Sequence, residues 1–320
     1  MLKRKMIRKL LVSTTVLFTL FLLYLVPKDT ISSLDNIPQK LEYVNKEIQK
    51  QEIYLLNNYN FLAKTEVVID SKDIPQKVKE LVEILIKDGS GENKIPSGFR
   101  SYIPSETKIL SINFENNLLK INFSKDLLNT TIDLEERIIE GLVYTLTGIE
   151  EVENIILYVE GNVLTQLPQK KLVIPGTLNR SFGINKQYDL NTLKDITQVT
   201  TYYVSKYNED YYYVPVTQYI NDDREKIRIV VDNLTSTPIY NTNLMSFLNS
   251  NAKLLAVEQS DDVLDLTFNQ YIFQNLEEQK ILEEVIYTIC LSVKDNYDVK
   301  EVVFHVNEEE VYKSVLKTIE

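Results

Sequence analysis

One histidine and one cysteine bound the chemistry open to this chain. A Ser-His or Cys-His mechanism would have to run through His305, which stands between Phe304 and Val306 in a stretch that reads as a strand. An internal copy of that stretch, described below, has Tyr158 in its place. Zinc sites draw on several His and Cys ligands, and Cys290 falls on the apolar face of a predicted helix, the setting of an inert core thiol. Gly89-Ser90-Gly91 follows a helix and lacks the third glycine and the lysine of a phosphate-cradling loop, so it reads as surface loop. Asp261-Asp262 occupies a hairpin turn where Asp is expected for backbone reasons, and one turn supplies too few oxygens for calcium. Glu135-Glu136 and Glu277-Glu278 open predicted helices, where the macrodipole favours carboxylates. The expectation is a chain with no catalytic residue, metal or cofactor, an envelope hydrolase being the weakest reading. Tyrosines are what remains: Tyr202, Tyr203, Tyr207, Tyr211, Tyr212, Tyr213 and Tyr219 crowd one predicted strand pair. Successive strand residues face opposite sides, so some must be exposed. Tyr203, Tyr211 and Tyr213 are the candidate surface for a partner protein or a glycan, set against ordinary cross-strand packing.

These residues are positioned by a duplicated unit. Lys108-Ile109-Leu110 and Leu119-Lys120-Ile121-Asn122-Phe123-Ser124 recur about 145 residues on as Lys253-Leu254-Leu255 and Leu264-Asp265-Leu266-Thr267-Phe268-Asn269. Val143-Tyr144-Thr145-Leu146-Thr147 reads against Ile286-Tyr287-Thr288-Ile289-Cys290, and the run 152–159 against 299–306. In copy one the patterns predict strands 53–56 and 61–69, a helix 74–87 with Val78, Leu81, Val82 and Leu85 on one face, and a loop 89–106. Strands 108–114 and 118–123, a helix 134–147 and a strand 154–159 complete it. Copy two reads as strands 200–206 and 211–218, a helix 223–234, a loop with Pro238, strands 253–258 and 263–268, a helix 276–291 and a strand 300–306. Val311, Tyr312, Val315, Leu316 and Ile319 predict a short terminal helix. The order β-β-α-β-β-α-β, twice, argues α+β: two tandem small α/β-sandwich domains, at 52–167 and 199–320, joined by a linker 168–198.

The N-terminus sets Lys3, Arg4, Lys5, Arg8 and Lys9 before an uncharged run of 17 residues, 10–26, closed by Pro27. Large residues stand where a signal-peptidase site needs small ones, which favours an uncleaved single-pass anchor with Leu10, Leu17, Phe18, Leu22 and Val26 in the bilayer. Residues 1–27 then comprise the cytoplasmic basic flank and the anchor, 28–51 a polar tether, and everything beyond lies outside the cytoplasm. Without the five basic residues the formal charge moves from −11 to −16. That excess argues against nucleic-acid binding, which needs a basic face.

In its strand 119–124, the helix end 143–147, the strand from Val152 to Gly161, and Asn179-Arg180-Ser181-Phe182-Gly183-Ile184-Asn185, the chain resembles the GerMN domain, found in tandem in GerM-like sporulation and germination proteins of spore-forming bacteria. The resemblance covers residues 52–306. Copy two departs from it, with Asn269 for Ser124, Cys290 for Thr147 and no glycine matching Gly161; members of the family are often lipoproteins, whereas no cysteine follows the apolar run here. Such domains are similar to ring-building modules that associate side by side. The resemblance implies a non-enzymatic, membrane-anchored scaffold that docks envelope or spore-assembly membrane proteins, with possible self-association. The alternative is an extracytoplasmic binding or sensory module for a peptide, glycan or lipoprotein.

Overall fold

Residues 2–24, 49–236 and 243–316 are described by the computed structural model, and they divide into a unit ending at Glu47 and a unit beginning at Ile48. The first contains helix α1 (Leu2–Tyr24). Its first two turns hold the basic residues, leaving an uncharged stretch, 10–24, of about 22 Å at 1.5 Å per residue. A bilayer core is about 30 Å thick, and among the described residues no helix is long and apolar enough to cross a membrane. Leu10, Leu17, Phe18 and Leu22 fall within α1, the last three exposed; Val26 lies outside the described residues.

In the second unit, copy one opens with the antiparallel pair β1 (Gln49–Asn57) and β2 (Leu62–Ile69). The turn between them is held by Asn57, whose side-chain oxygen accepts from the Tyr59 and Phe61 amides. Helix α2 (Ile74–Leu85) starts where Asp73 accepts from the Gln76 amide, with Pro75 in the first turn where its missing N–H costs nothing. It buries Val78, Leu81, Val82 and Leu85, the face its spacing predicts. Then come β3 (Phe99–Arg100), β4 (Ile109–Glu115) and β5 (Leu118–Phe123). Asn116 and Asn117 both take left-handed φ in the β4–β5 hairpin, a conformation Asn tolerates well. Helix α3 (Ile132–Leu146) carries the chain over to β6 (Asn154–Val159), parallel to β5, and β7 (Asn162–Val163) pairs with β6.

The stretch read as a linker contains β8 (Gln187–Asp189) and buries Ile174, Leu178 and Ile184. Copy two runs β9 (Thr197–Tyr207), β10 (Asp210–Ile220), α4 (Lys226–Thr235), β11 (Leu254–Ser260), β12 (Val263–Phe268), α5 (Glu283–Asn296), β13 (Glu301–Val306) and β14 (Glu309–Val315). Each copy has its own four-stranded sheet, β4-β5-β6-β7 and β11-β12-β13-β14. A third sheet, β3-β1-β2-β10-β8 with β9 on β10, is shared by both. Each copy also has its own buried core, one including Leu81, Phe123 and Leu142, the other Ile227, Phe268 and Ile289. A small cluster of Ala63, Tyr212, Val214, Val216 and Leu244 sits at the seam.

Three expectations are corrected. The terminal helix is instead strand β14: Asn307 and Glu308 take left-handed φ, the chain reverses, and buried Ser314 and Leu316 alternate with exposed Lys313 and Val315. Helix α5 begins at Glu283 rather than 276, because residues 274–280 fold into a turn closed by the Gln274 amide on the Lys280 carbonyl, with Gln279 left-handed. The second helices of the two copies also align one turn later than their sequences suggest. Thr145 Oγ1 accepts from the Tyr54 amide, and its counterpart accepting from the Tyr202 amide is Ser292, not Thr288. Cys290 therefore matches Val143 and is buried, with burial pushing its thiol up to about 12.

Gly141 matches Thr288 in this alignment, and it has a reason to be glycine. A Cβ there would overlap the buried Tyr102 hydroxyl and ring. Gly141→Ala is expected to lower stability by about 1–3 kcal/mol through overpacking, despite the better helix propensity of alanine. A urea unfolding midpoint measures it, and pairing the change with Tyr102→Phe should recover part of the loss by removing the overlapping hydroxyl.

Candidate functional site

The side chains read from sequence as candidates do not converge. His305 Nε2 lies 2.8 Å from Asp265 Oδ1 on the neighbouring strand, both partly exposed. Among the described residues no group of three or more His, Cys, Asp and Glu side chains could hold a metal ion. Residues paired across β9 and β10 share a face, and Tyr203 pairs with Val214 whereas Tyr213 pairs with Val204. Tyr203 thus points away from Tyr211 and Tyr213, and burial pushes its hydroxyl up to about 12. Tyr213 stacks on Tyr287 of α5 at 5.6 Å. Tyr211 is 45% exposed, with Phe247 against its edge and the Lys206 ammonium 5.5 Å from its ring centre. Of the three, Tyr211 has the largest free surface.

A stronger constellation lies in the segment between the copies, where sequence reading assigned no chemistry. Arg180 opens a 3-10 turn, Arg180–Phe182, capped by Asn179 accepting from the Ser181 amide. Its guanidinium donates to Glu52 of β1 at 2.5 Å, to Asp295 of α5 at 2.8 Å, to Thr147 Oγ1 and to the Tyr144 carbonyl. It also lies over the rings of Tyr144 and Tyr54 at 5.0 and 5.8 Å. The hydroxyls of Tyr54 and Tyr202, matching residues of the two copies, meet at 3.0 Å, and Tyr202 donates to the second Asp295 oxygen. Burial would push the Glu52 carboxyl up, but Arg180, Lys64 and Lys294 outweigh it and hold it at about 2. A planar five-donor fork suits such a bridge. The arrangement can lock the two copies together.

Five residues on, Asn185 closes the seam in the shared sheet. Its side-chain oxygen accepts from the Leu62 amide and from Arg137, and its amide nitrogen donates to the carbonyls of Leu62 and Pro215. Asn185 takes left-handed φ, which asparagine tolerates better than most residues.

Two clefts lie against the starts of the second helices of the two copies. The first, about 640 Å³, lies against α3 and includes Lys87, Arg100, Arg137, Lys170 and Lys186 in its walls. The second, about 730 Å³, lies against the start of α5 and includes Glu278, Glu283, Glu284 and Tyr287.

The family described as Germane, sporulation and spore germination, matches residues 52–165 and 200–312. The chain is 26% identical over 262 residues to the spore germination protein GerM of Bacillus subtilis, covering 80% of this chain and 71% of that protein. The solved structure of the tandem GerMN domains of the sporulation protein GerM from Bacillus subtilis superimposes with a TM-score of 0.75 at 25% identity, covering 82% of this chain and 92% of that one.

Proposed function

The chain belongs to the Germane family of sporulation and spore germination, and on that premise we propose that it is a non-enzymatic scaffold, anchored to a membrane through α1, that docks envelope proteins outside the cytoplasm. The observation that supports this most is the junction: Arg180 and the shared sheet join two copies with separate cores into one body. A pair of surfaces held at fixed spacing gains effective concentration when both meet one partner or two adjoining ones, and a membrane tether adds to it. The flank Lys3, Arg4, Lys5, Arg8 and Lys9 stays on the cytoplasmic side in this reading.

The test is a photocrosslinking amino acid at Tyr211 of the full-length chain in sporulating cells. A discrete crosslinked envelope protein, lost when α1 carries Leu17→Lys and Leu22→Lys, is the expected result. The two lysines should move the chain out of alkali-washed membranes, since each costs about 3 kcal/mol at a span's centre. Retention of the double variant in those membranes would contradict anchoring by α1. Absence of crosslinks at Tyr211 of copy two and likewise at exposed Leu110 of copy one would contradict docking by either copy.

A further inference from the structure

The two clefts share one equivalent wall, the start of α3 or of α5, but carry opposite charge. With Thr145 matched to Ser292, Arg137 of the first cleft corresponds to Glu284 of the second, and Glu140 to Tyr287. The start of this helix therefore packs without a cation at that position, and Lys170 and Lys186 are added to the cleft by the segment between the copies. This gathering of cations is out of keeping with a chain of net charge −11: the first cleft presents five cationic side chains against three carboxylates.

Two of those carboxylates act inwards. Glu136 is gripped by Lys170 at 2.8 Å and Lys186 at 3.0 Å, and buried Glu140 accepts from Arg137 and from the Asn185 amide, each at 3.0 Å. They hold three cations in fixed places on one wall. The third, Asp133, is exposed at the rim. On the other wall Arg100 donates to the Asn57 carbonyl and to Asn60, neither of them charged, and Lys87 has no ion-pair partner among the described residues. Neither positive charge is neutralised by an ion pair among the described residues.

An aromatic surface completes the site. Tyr188 is 63% exposed, and its ring is stacked on Tyr219 at 4.9 Å and 13°, so one face is braced and the other is open beside the cleft. A flat ring next to fixed cations suits a ligand with an apolar C–H face and an anionic substituent. A volume of about 640 Å³ falls within the usual range for small-ligand sites. We propose that the copy-one cleft binds a carboxylate-bearing oligosaccharide, with one sugar ring on Tyr188 and the carboxylate of another sugar, further along the cleft, between Lys87 and Arg100.

The experiment is calorimetric titration of the full-length chain in nanodiscs of neutral lipid. The acidic probes are hexagalacturonate and a tetrasaccharide alternating N-acetylglucosamine with N-acetylmuramic acid; the controls are neutral chitotetraose and sodium phosphate. Saturable binding of at least one acidic probe is expected, weakened tenfold or more by Lys87→Ala, by Lys87→Ala with Arg100→Ala, and by Tyr188→Ala. Lys280→Ala in the second cleft should leave it unchanged. Circular dichroism melts establish that each variant is folded, and Lys87→Ala alone serves if the Arg100 change disturbs the β1–β2 turn. Equal binding of chitotetraose would overturn the role of the charges. Phosphate binding as tightly as the acidic sugars, or indifference to Tyr188→Ala, would reduce the cleft to a simple anion site and overturn the glycan. Binding of neither acidic probe, or concentration-dependent self-association blocked by the cleft variants in place of glycan binding, would overturn the proposal outright.

Discussion

Arg180→Met is expected to lower the stability of the second unit by about 3–5 kcal/mol, the usual cost of removing one partner from a buried ionic cluster. The guanidinium is 19% exposed, Glu52 12% and Asp295 1%. Methionine would fill much of the space and leave Asp295 with the Tyr202 hydroxyl and Glu52 with Lys64 at 3.5 Å. Because the two copies have separate cores, urea unfolding of the variant should lose its single transition and show two, the coupling between copies having been cut. Arg180→Lys should recover less than half, since one ammonium cannot reach both carboxylates with the fork's geometry. Adding Glu52→Gln and Asp295→Asn to the methionine variant should recover more, because what hurts is the uncompensated charge. The pH dependence has a defined sign. Glu52 is held at about 2, below the ordinary glutamate value of 4.5, so its contribution is complete above about 4.5 and is lost as pH falls towards 2. The stability gap between wild type and Arg180→Met should therefore be widest where Glu52 is ionised in both proteins, near neutral pH and above, and narrow as pH falls towards 2. A gap that widened in acid, or a variant with one unchanged transition, would show that Arg180 does not couple the copies.

The elements were legible where period and turn chemistry agreed. Strands 118–123, 154–159 and 263–268 have the bounds read from their alternation, and α2 buries the four residues its spacing named. Two departures of copy two from the family pattern have structural equivalents. Asn269 for Ser124 keeps the same bond, each side-chain oxygen accepting from the amide at 253 or 108 at 3.0 Å. Glu308 takes the left-handed φ that Gly161 has in copy one. The slip of one turn between α3 and α5 was invisible because a shift of four residues leaves an apolar stripe nearly in phase; only the bonds of Thr145 and Ser292 fix it. The terminal segment misled for a related reason, since Val311, Val315 and Leu316 satisfy a helical period while the Asn307-Glu308 turn decides the outcome. The junction was illegible because its parts come from β1, α5 and a connecting segment, 128 and 115 residues from Arg180, and no local pattern records such a meeting.

Asn185→Ala is the second change expected to act strongly, at about 3 kcal/mol, and it acts on the seam rather than on the ionic cluster. Strands β2 and β10 pair through Tyr213 and Lys64, and Pro215 has no N–H to offer. The Asn185 amide takes the place of a strand residue, satisfying the Leu62 N–H and C=O and the Pro215 carbonyl at 2.7–3.0 Å. Alanine would leave three buried backbone groups without partners, at about 1 kcal/mol or more each, and would sit poorly at φ 49. Asn185→Gly removes the second cost and keeps the first, so the difference between the two variants separates backbone strain from lost hydrogen bonds. Aspartate is near in shape but donates nothing to the two carbonyls and brings another negative charge beside Glu140, so it should be no better than alanine. Amide hydrogen exchange reads the site directly: Leu62 should lose protection in Asn185→Ala while Ile121, deep in the β4-β5-β6-β7 sheet, keeps it. If Leu62 stays protected, the seam is held by packing of Ala63, Val214 and Val216 alone, and the shared sheet closes by burial without need of the asparagine.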